Sequence, residues 1–164
     1  MNKLGVYALT MDGRWGEMLT QIVDESFEIT VMHCPEGYPD CLENLPEADP
    51  DALLLVDATG LPDVAGMVRR LRRRGWRHVV VIAADPTAKE ANAAFKAGAS
   101  DYGTKTLDRR TVLWQLGEWV RQVQSADAVS GCQGPNGVAL RRGPRDLSRL
   151  EVSTYAKARD SVGR

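Results

Sequence analysis

No run of 18 apolar residues occurs in this sequence, and its first residues lack the basic-then-apolar pattern of a leader. Neither a membrane span nor a secretory signal is therefore expected. Cysteine is scarce. Cys34, Cys41 and Cys132 are too few and too scattered for a disulfide scaffold, and a cytoplasmic location is the expectation. An excess of one charge is also missing, since 21 basic and 22 acidic side chains leave a formal charge of -1. That balance excludes a wholly basic nucleic-acid coat and a wholly acidic disordered tail. No GxGxxG follows the first apolar segment, and there is no P-loop, GxSxG or HExxH. Dinucleotide binding, P-loop nucleotide hydrolysis and the common hydrolase chemistries lose their usual signatures.

What is present is a chain of 164 residues, 43% hydrophobic, enough for one ordinary domain with an appendage. Its charge is unevenly spread: residues 1–50 carry a net -8, residues 51–123 a net +4 and residues 124–164 a net +3. Arg69, Arg70, Arg72, Arg73, Arg74 and Arg77 form a basic cluster. It reads first as a solvated helix end, where arginine is favourable, and second as a contact for phosphate or an acidic partner.

Apolar runs alternate with amphipathic ones. Lys3–Leu9, Phe27–His33, Ala52–Val56, Val79–Ala84 and Asp101–Lys105 read as strands. Ala52–Val56 (ALLLV) and Val79–Ala84 (VVVIAA) are almost wholly apolar, as strands covered on both faces must be. Helices are expected over Gly13–Asp24, Asp63–Arg74, Asp85 or Thr87 to Ala97, and Leu107–Val123, with a short one near Cys41–Leu45. The first should bury Trp15, Met18, Leu19, Ile22 and Val23. The last should bury Val112, Leu113, Leu116, Trp119, Val120 and Val123. The pattern predicts an α/β fold with a doubly wound five-stranded parallel sheet and helices on both faces. The domain spans residues 1–123, a linker containing glycine and proline spans 124–145, and an arm with some helical character spans 146–164.

In such a fold chemistry gathers beyond the carboxyl ends of the strands. Asp57 ends the third strand, where a carboxylate is expected to be exposed at the crevice, and aspartate is a competent phosphoryl nucleophile. Lys105 ends the fifth strand, with reach enough to pair with Asp57 or with its phosphorylated form. Both residues lying on the surface with no shared role is the plain alternative.

The words PDALLLVDATGLPDVAGM, VVVIAAD and KAGASDYGTK, followed by the final amphipathic helix, resemble the response-regulator receiver domain of two-component signalling. The resemblance covers residues 3–123 and implies a flavodoxin-like strand order of 2-1-3-4-5. It puts Asp57 at the phosphoacceptor position, Lys105 at the invariant lysine and Tyr102 at the aromatic switch position. Four positions depart from the pattern. Thr10 and Met11 stand where two metal-holding acids are usual, with Asp12 the next residue. Ala83 stands in place of the switch hydroxyl, and Thr106 in place of the proline after the lysine. Asp12 and Asp57 alone make a weak set for a hard cation, because thioether is a poor ligand for Mg²⁺.

The resemblance thus implies a degenerate, non-enzymatic receiver, a signalling or protein-interaction domain without efficient Mg²⁺-dependent aspartyl phosphorylation and with no resident cofactor. Mg²⁺ enters only if phosphorylation is retained. The alternatives are a phosphoaccepting receiver using Asp57, with a histidine kinase upstream, and a small-ligand or cofactor-binding domain. The implied partner is another protein or a second copy, through residues 87–123, with no direct nucleic-acid contact by the body. A metal on His33, Cys34 and Cys41 fits no common zinc spacing.

Overall fold

The computed structural model describes residues 3–34 and 37–130, with residues 39, 40 and 127–130 described by their backbone alone. Five strands form one sheet: β1 (Leu4–Thr10), β2 (Phe27–His33), β3 (Leu53–Asp57), β4 (His78–Ala83) and β5 (Asp101–Thr104). The order is β2-β1-β3-β4-β5, and every neighbouring pair is parallel. Five helices connect and follow them: α1 (Gly13–Thr20), α2 (Tyr38–Glu43), α3 (Val64–Arg73), α4 (Ala88–Ala97) and α5 (Arg109–Ser130). This is the flavodoxin-like doubly wound arrangement that the alternation of apolar runs predicts.

Strand alternation divides the core in two. Leu54, Val56, Val79 and Val81 face α2, α3 and α4, where they meet Tyr38, Leu42, Val68, Leu71 and Ala94. Leu53, Leu55, Val80 and Ile82 face α1 and α5, where they meet Trp15, Leu19, Leu116, Trp119 and Val120. Because both faces are covered, β3 is buried along its whole length, which accounts for the unbroken apolar run Leu53, Leu54, Leu55 and Val56 before Asp57.

Caps mark the helix ends. Asp12, Asp63 and Thr87 accept backbone N–H bonds at the starts of α1, α3 and α4, and Gly98 closes α4 in the left-handed region at φ 109°. The Asp108 carboxylate accepts the Thr111 N–H at the start of α5.

Several sequence expectations need correction. Helix α1 ends at Thr20, because the chain tightens as Gln21 and Ile22 bond back to Met18 and Leu19. Asp24 then makes a turn by accepting the Ser26 N–H, and Val23 lies exposed. Leu113 likewise sits at the edge of the α5 stripe and is exposed. Helix α2 begins at Tyr38, with a proline in its first turn. Helix α5 continues seven residues past Val123, through part of the expected linker, because no glycine or proline interrupts 124–130. The rest of the linker, the arm 146–164 and Cys132 lie outside the described residues.

Among the described residues no helix is long and apolar enough to cross a membrane.

Candidate functional site

The order of strands reverses between β1 and β3, so their carboxyl ends open side by side. Thr10 ends β1 and Asp57 ends β3, and both are fully buried. The expectation that Asp57 is exposed at the crevice is therefore corrected: its accessibility is 0%. A carboxylate buried this deeply must be satisfied on every side, and it is. The Thr10 hydroxyl donates to Asp57 Oδ2 at 2.7 Å and Lys105 Nζ donates to the same oxygen at 2.8 Å. The Thr59 backbone N–H donates to Oδ1 at 3.0 Å. The Asp57 main-chain carbonyl accepts a hydrogen bond from the Tyr38 hydroxyl on α2.

Lys105 follows β5, anchored there by its N–H to the Ala83 carbonyl at 2.7 Å. Its ammonium sits between two carboxylates, 2.7 Å from Asp12 Oδ2 and 2.8 Å from Asp57 Oδ2, and also meets Thr59 Oγ1 at 3.3 Å. The Trp15 ring centroid lies 5.8 Å from Nζ. Burial alone would lower the lysine pKa, but hydrogen bonds and attraction from Asp12 and Asp57 outweigh it and hold it above 10.5. The Lys105 hydrogen bond in turn pulls Asp12 below 3.8, helped by the α1 N–H groups it caps. Burial, then the Asp57 charge, pushes the Tyr38 phenol well above 10.0, so it remains a donor.

The departures from the receiver pattern acquire positions. Thr10 is a hydrogen-bond donor to Asp57 and accepts the Asp12 N–H at 2.9 Å. The Met11 methyl lies over the turn after Asp57, only 2.6 Å from where a Cβ on Gly60 would stand. Gly60 itself has φ 74°, and that left-handed backbone, more than the movable Met11 methyl, is what favours glycine in the turn. Ala83 is buried at the end of β4, and Thr106 accepts the Asp108 N–H in the turn into α5. Among the described residues the Asp57 carboxylate bonds Thr10, Thr59 and Lys105, and neither Ala83 nor Thr106 stands with them. Tyr102 lies half-buried on β5 against the α3–α4 side of the core.

These residues do not make a divalent-cation site as they stand. The gap between Asp12 and Asp57 holds an ammonium group, and Thr10 and Met11 add no anionic oxygen. Among the described residues no group of three or more His, Cys, Asp or Glu converges.

Three participants were not anticipated. Thr59 had a local signal, because an aspartate commonly accepts the N–H two residues on. Tyr38 had none, since its partner is a carbonyl 19 residues away. Cys34 and Cys41 form a disulfide with Cα atoms 5.7 Å apart, a single local tie and not the scaffold that their scarcity argues against. That bond also removes them as metal ligands alongside His33.

No protein-family model matches the sequence, and no curated protein matches it. Solved structures do match its fold. A response regulator from Thermotoga maritima is 18% identical with a TM-score of 0.56, covering 73% of this chain and 99% of that one. A CheY-like receiver domain protein from Methanospirillum hungatei is 17% identical with a TM-score of 0.57, covering 76% and 99%. Full-length FixJ from B. japonicum is 18% identical with a TM-score of 0.58, covering 78% of this chain and 63% of that one. With its five parallel strands in the order 2-1-3-4-5 and Asp57, Thr59 and Lys105 gathered at their carboxyl edge, the chain has the response-regulator receiver fold.

Proposed function

We propose that this chain is a receiver-type signalling domain in which Asp57 accepts a phosphoryl group from a histidine kinase or a small acyl phosphate. The observation that carries the reading is Lys105 Nζ held 2.8 Å from Asp57 Oδ2 and 3.3 Å from Thr59 Oγ1. In the reaction a carboxylate oxygen of Asp57 attacks phosphorus. The donor's P–N or P–O bond breaks and the leaving group keeps the electron pair. Lys105 neutralises charge on the arriving group, and Thr59 supplies a fixed N–H beside the acceptor. Lys105 must release Asp12 or Asp57 to do so, which makes the paired arrangement the resting state. No separate substrate is turned over, so the domain is a signalling module and not an enzyme.

Its output in this reading is a protein contact through the α4–β5–α5 side, residues 87–123, where Leu107, Leu113 and Trp114 are exposed. A second reading, phosphorylation-independent interaction through the same side, is favoured by the complete burial of Asp57 beneath Lys105 and Thr10.

The test is intact mass after incubation with an acyl phosphate, with and without Mg²⁺, beside Asp57→Asn. One added phosphoryl group, absent from the variant, supports the first reading. No adduct on a folded protein, with an active receiver labelling in parallel, leaves the second.

A further inference from the structure

Helix α2 is six residues long, too short to hold itself in water. Apolar packing and a disulfide secure it, beside a hydrogen bond that Arg74 donates to the Leu42 carbonyl. Tyr38 and Leu42 are buried against β3 and α3, and the Cys34–Cys41 disulfide ties the helix to the end of β2. Cys34 is itself fixed, because its N–H donates to the Thr10 carbonyl at 2.8 Å. The first turn of α2 then puts the Tyr38 hydroxyl on the main-chain carbonyl of Asp57. One covalent bond thus anchors the helix whose phenol holds the backbone of the acceptor residue.

We propose that Cys34 and Cys41 are a thiol–disulfide exchange site whose redox state sets how firmly the Asp57 turn is held. A reductant of the dithiol class attacks Cys41 Sγ, because Cys41 is the less buried of the pair. The S–S bond breaks, and Cys34 leaves as a thiolate that takes up a proton. The reductant's second thiolate then resolves the mixed disulfide and releases Cys41 as a thiol. Two electrons and two protons enter the protein, and the reductant leaves as its own disulfide. With the clip open, α2 keeps its apolar contacts and the hydrogen bond that Arg74 donates to the Leu42 carbonyl, and the hydrogen bond from Tyr38 to Asp57 loosens. The turn Asp57–Leu61, closed by Thr59 N–H to Asp57 Oδ1 and Leu61 N–H to the Ala58 carbonyl, then loses one of its outside supports and keeps those from Thr10, Lys105 and the Ile82 carbonyl. The exchange site depends on the cysteine pair and Tyr38, whether or not Asp57 receives a phosphoryl group.

The experiment uses the full chain. Alkylation in denaturant without reductant, followed by peptide mapping, should leave Cys34 and Cys41 linked and modify Cys132 alone. After treatment with dithiothreitol all three should alkylate. Amide hydrogen exchange over residues 57–61 should then speed up about fivefold, the size expected for one buried hydrogen bond. Tyr38→Phe should show the faster exchange while oxidised and no further change on reduction. Free alkylation of Cys34 and Cys41 before reduction would overturn the proposal. So would a reduced protein whose 57–61 exchange is unchanged, which would leave the disulfide a purely local tie. Neither readout involves phosphoryl transfer, so failure here is separable from failure of the acceptor reading.

Discussion

Lys105 holds two carboxylates at once, and its removal separates a working cluster from an incidental one. Asp57 is fully buried, so Lys105→Met leaves a buried charge without its cation. A loss of about 3–5 kcal/mol in urea unfolding at neutral pH is expected, because breaking a buried pair costs more than the pair is worth. Thr10→Val keeps the shape and deletes one donor to Asp57 Oδ2, with an expected cost of about 1–3 kcal/mol by the same measurement. Asp12 and Lys105, the two shifted groups that pair with each other, each contribute a pH dependence. Asp12 has a lowered pKa, so its stabilisation is present above 3.8 and is lost as pH falls through its folded value. Lys105 has a raised pKa, so its stabilisation is complete below 10.5 and is lost as pH rises through its folded value. Urea midpoints in the wild type should fall at both ends, and Lys105→Met should lack the alkaline decline that this lysine contributes. Asp57 and Lys105 were legible in the sequence because both end strands on one edge of a parallel sheet. The burial of Asp57 was not, since it depends on Thr10, which reads as a missing acid until its hydroxyl is seen to donate.

At the scale of elements, the strands were legible almost to the residue, because β3 is apolar up to Asp57 and β4 after His78, short runs rich in β-branched residues and leucine that fit strands buried on both faces. Helix ends were legible where a cap marks them, as at Thr87 and Gly98, and less so where tertiary contacts decide, as at Gln21. Helix α2 was placed a few residues late, because what locates it is a disulfide and a phenol bonded across 19 positions. Strand β5 offers the sharpest test of packing. A Cβ on Gly103 would stand 2.7 Å from Trp119 Cζ2 and 2.9 Å from Cη2. Gly103→Ala should therefore displace the Trp119 ring and weaken its Nε1 hydrogen bond to Asp101, 3.0 Å in the native protein. The expected cost is about 1–3 kcal/mol in thermal or urea unfolding, with a changed near-ultraviolet tryptophan signal. An unchanged signal and midpoint would mean that α5 packs more loosely on β5 than these distances imply.

At the scale of the domain, the described residues form a receiver fold whose carboxyl edge carries its own cation. Millimolar Mg²⁺ should leave the melting temperature of the resting wild-type protein unchanged, because an ammonium already neutralises Asp12 and Asp57. Lys105→Met should become Mg²⁺-responsive, since the same two carboxylates are then uncompensated. Chemical trapping at Asp57 reads out the acceptor role directly. After exposure to an acyl phosphate, borohydride reduces an aspartyl phosphate to homoserine and leaves a free carboxylate untouched. Peptide mapping should find homoserine in place of Asp57 and nowhere else in the chain. Unmodified Asp57 in a folded protein, with an active receiver trapped in parallel, would contradict the acceptor role.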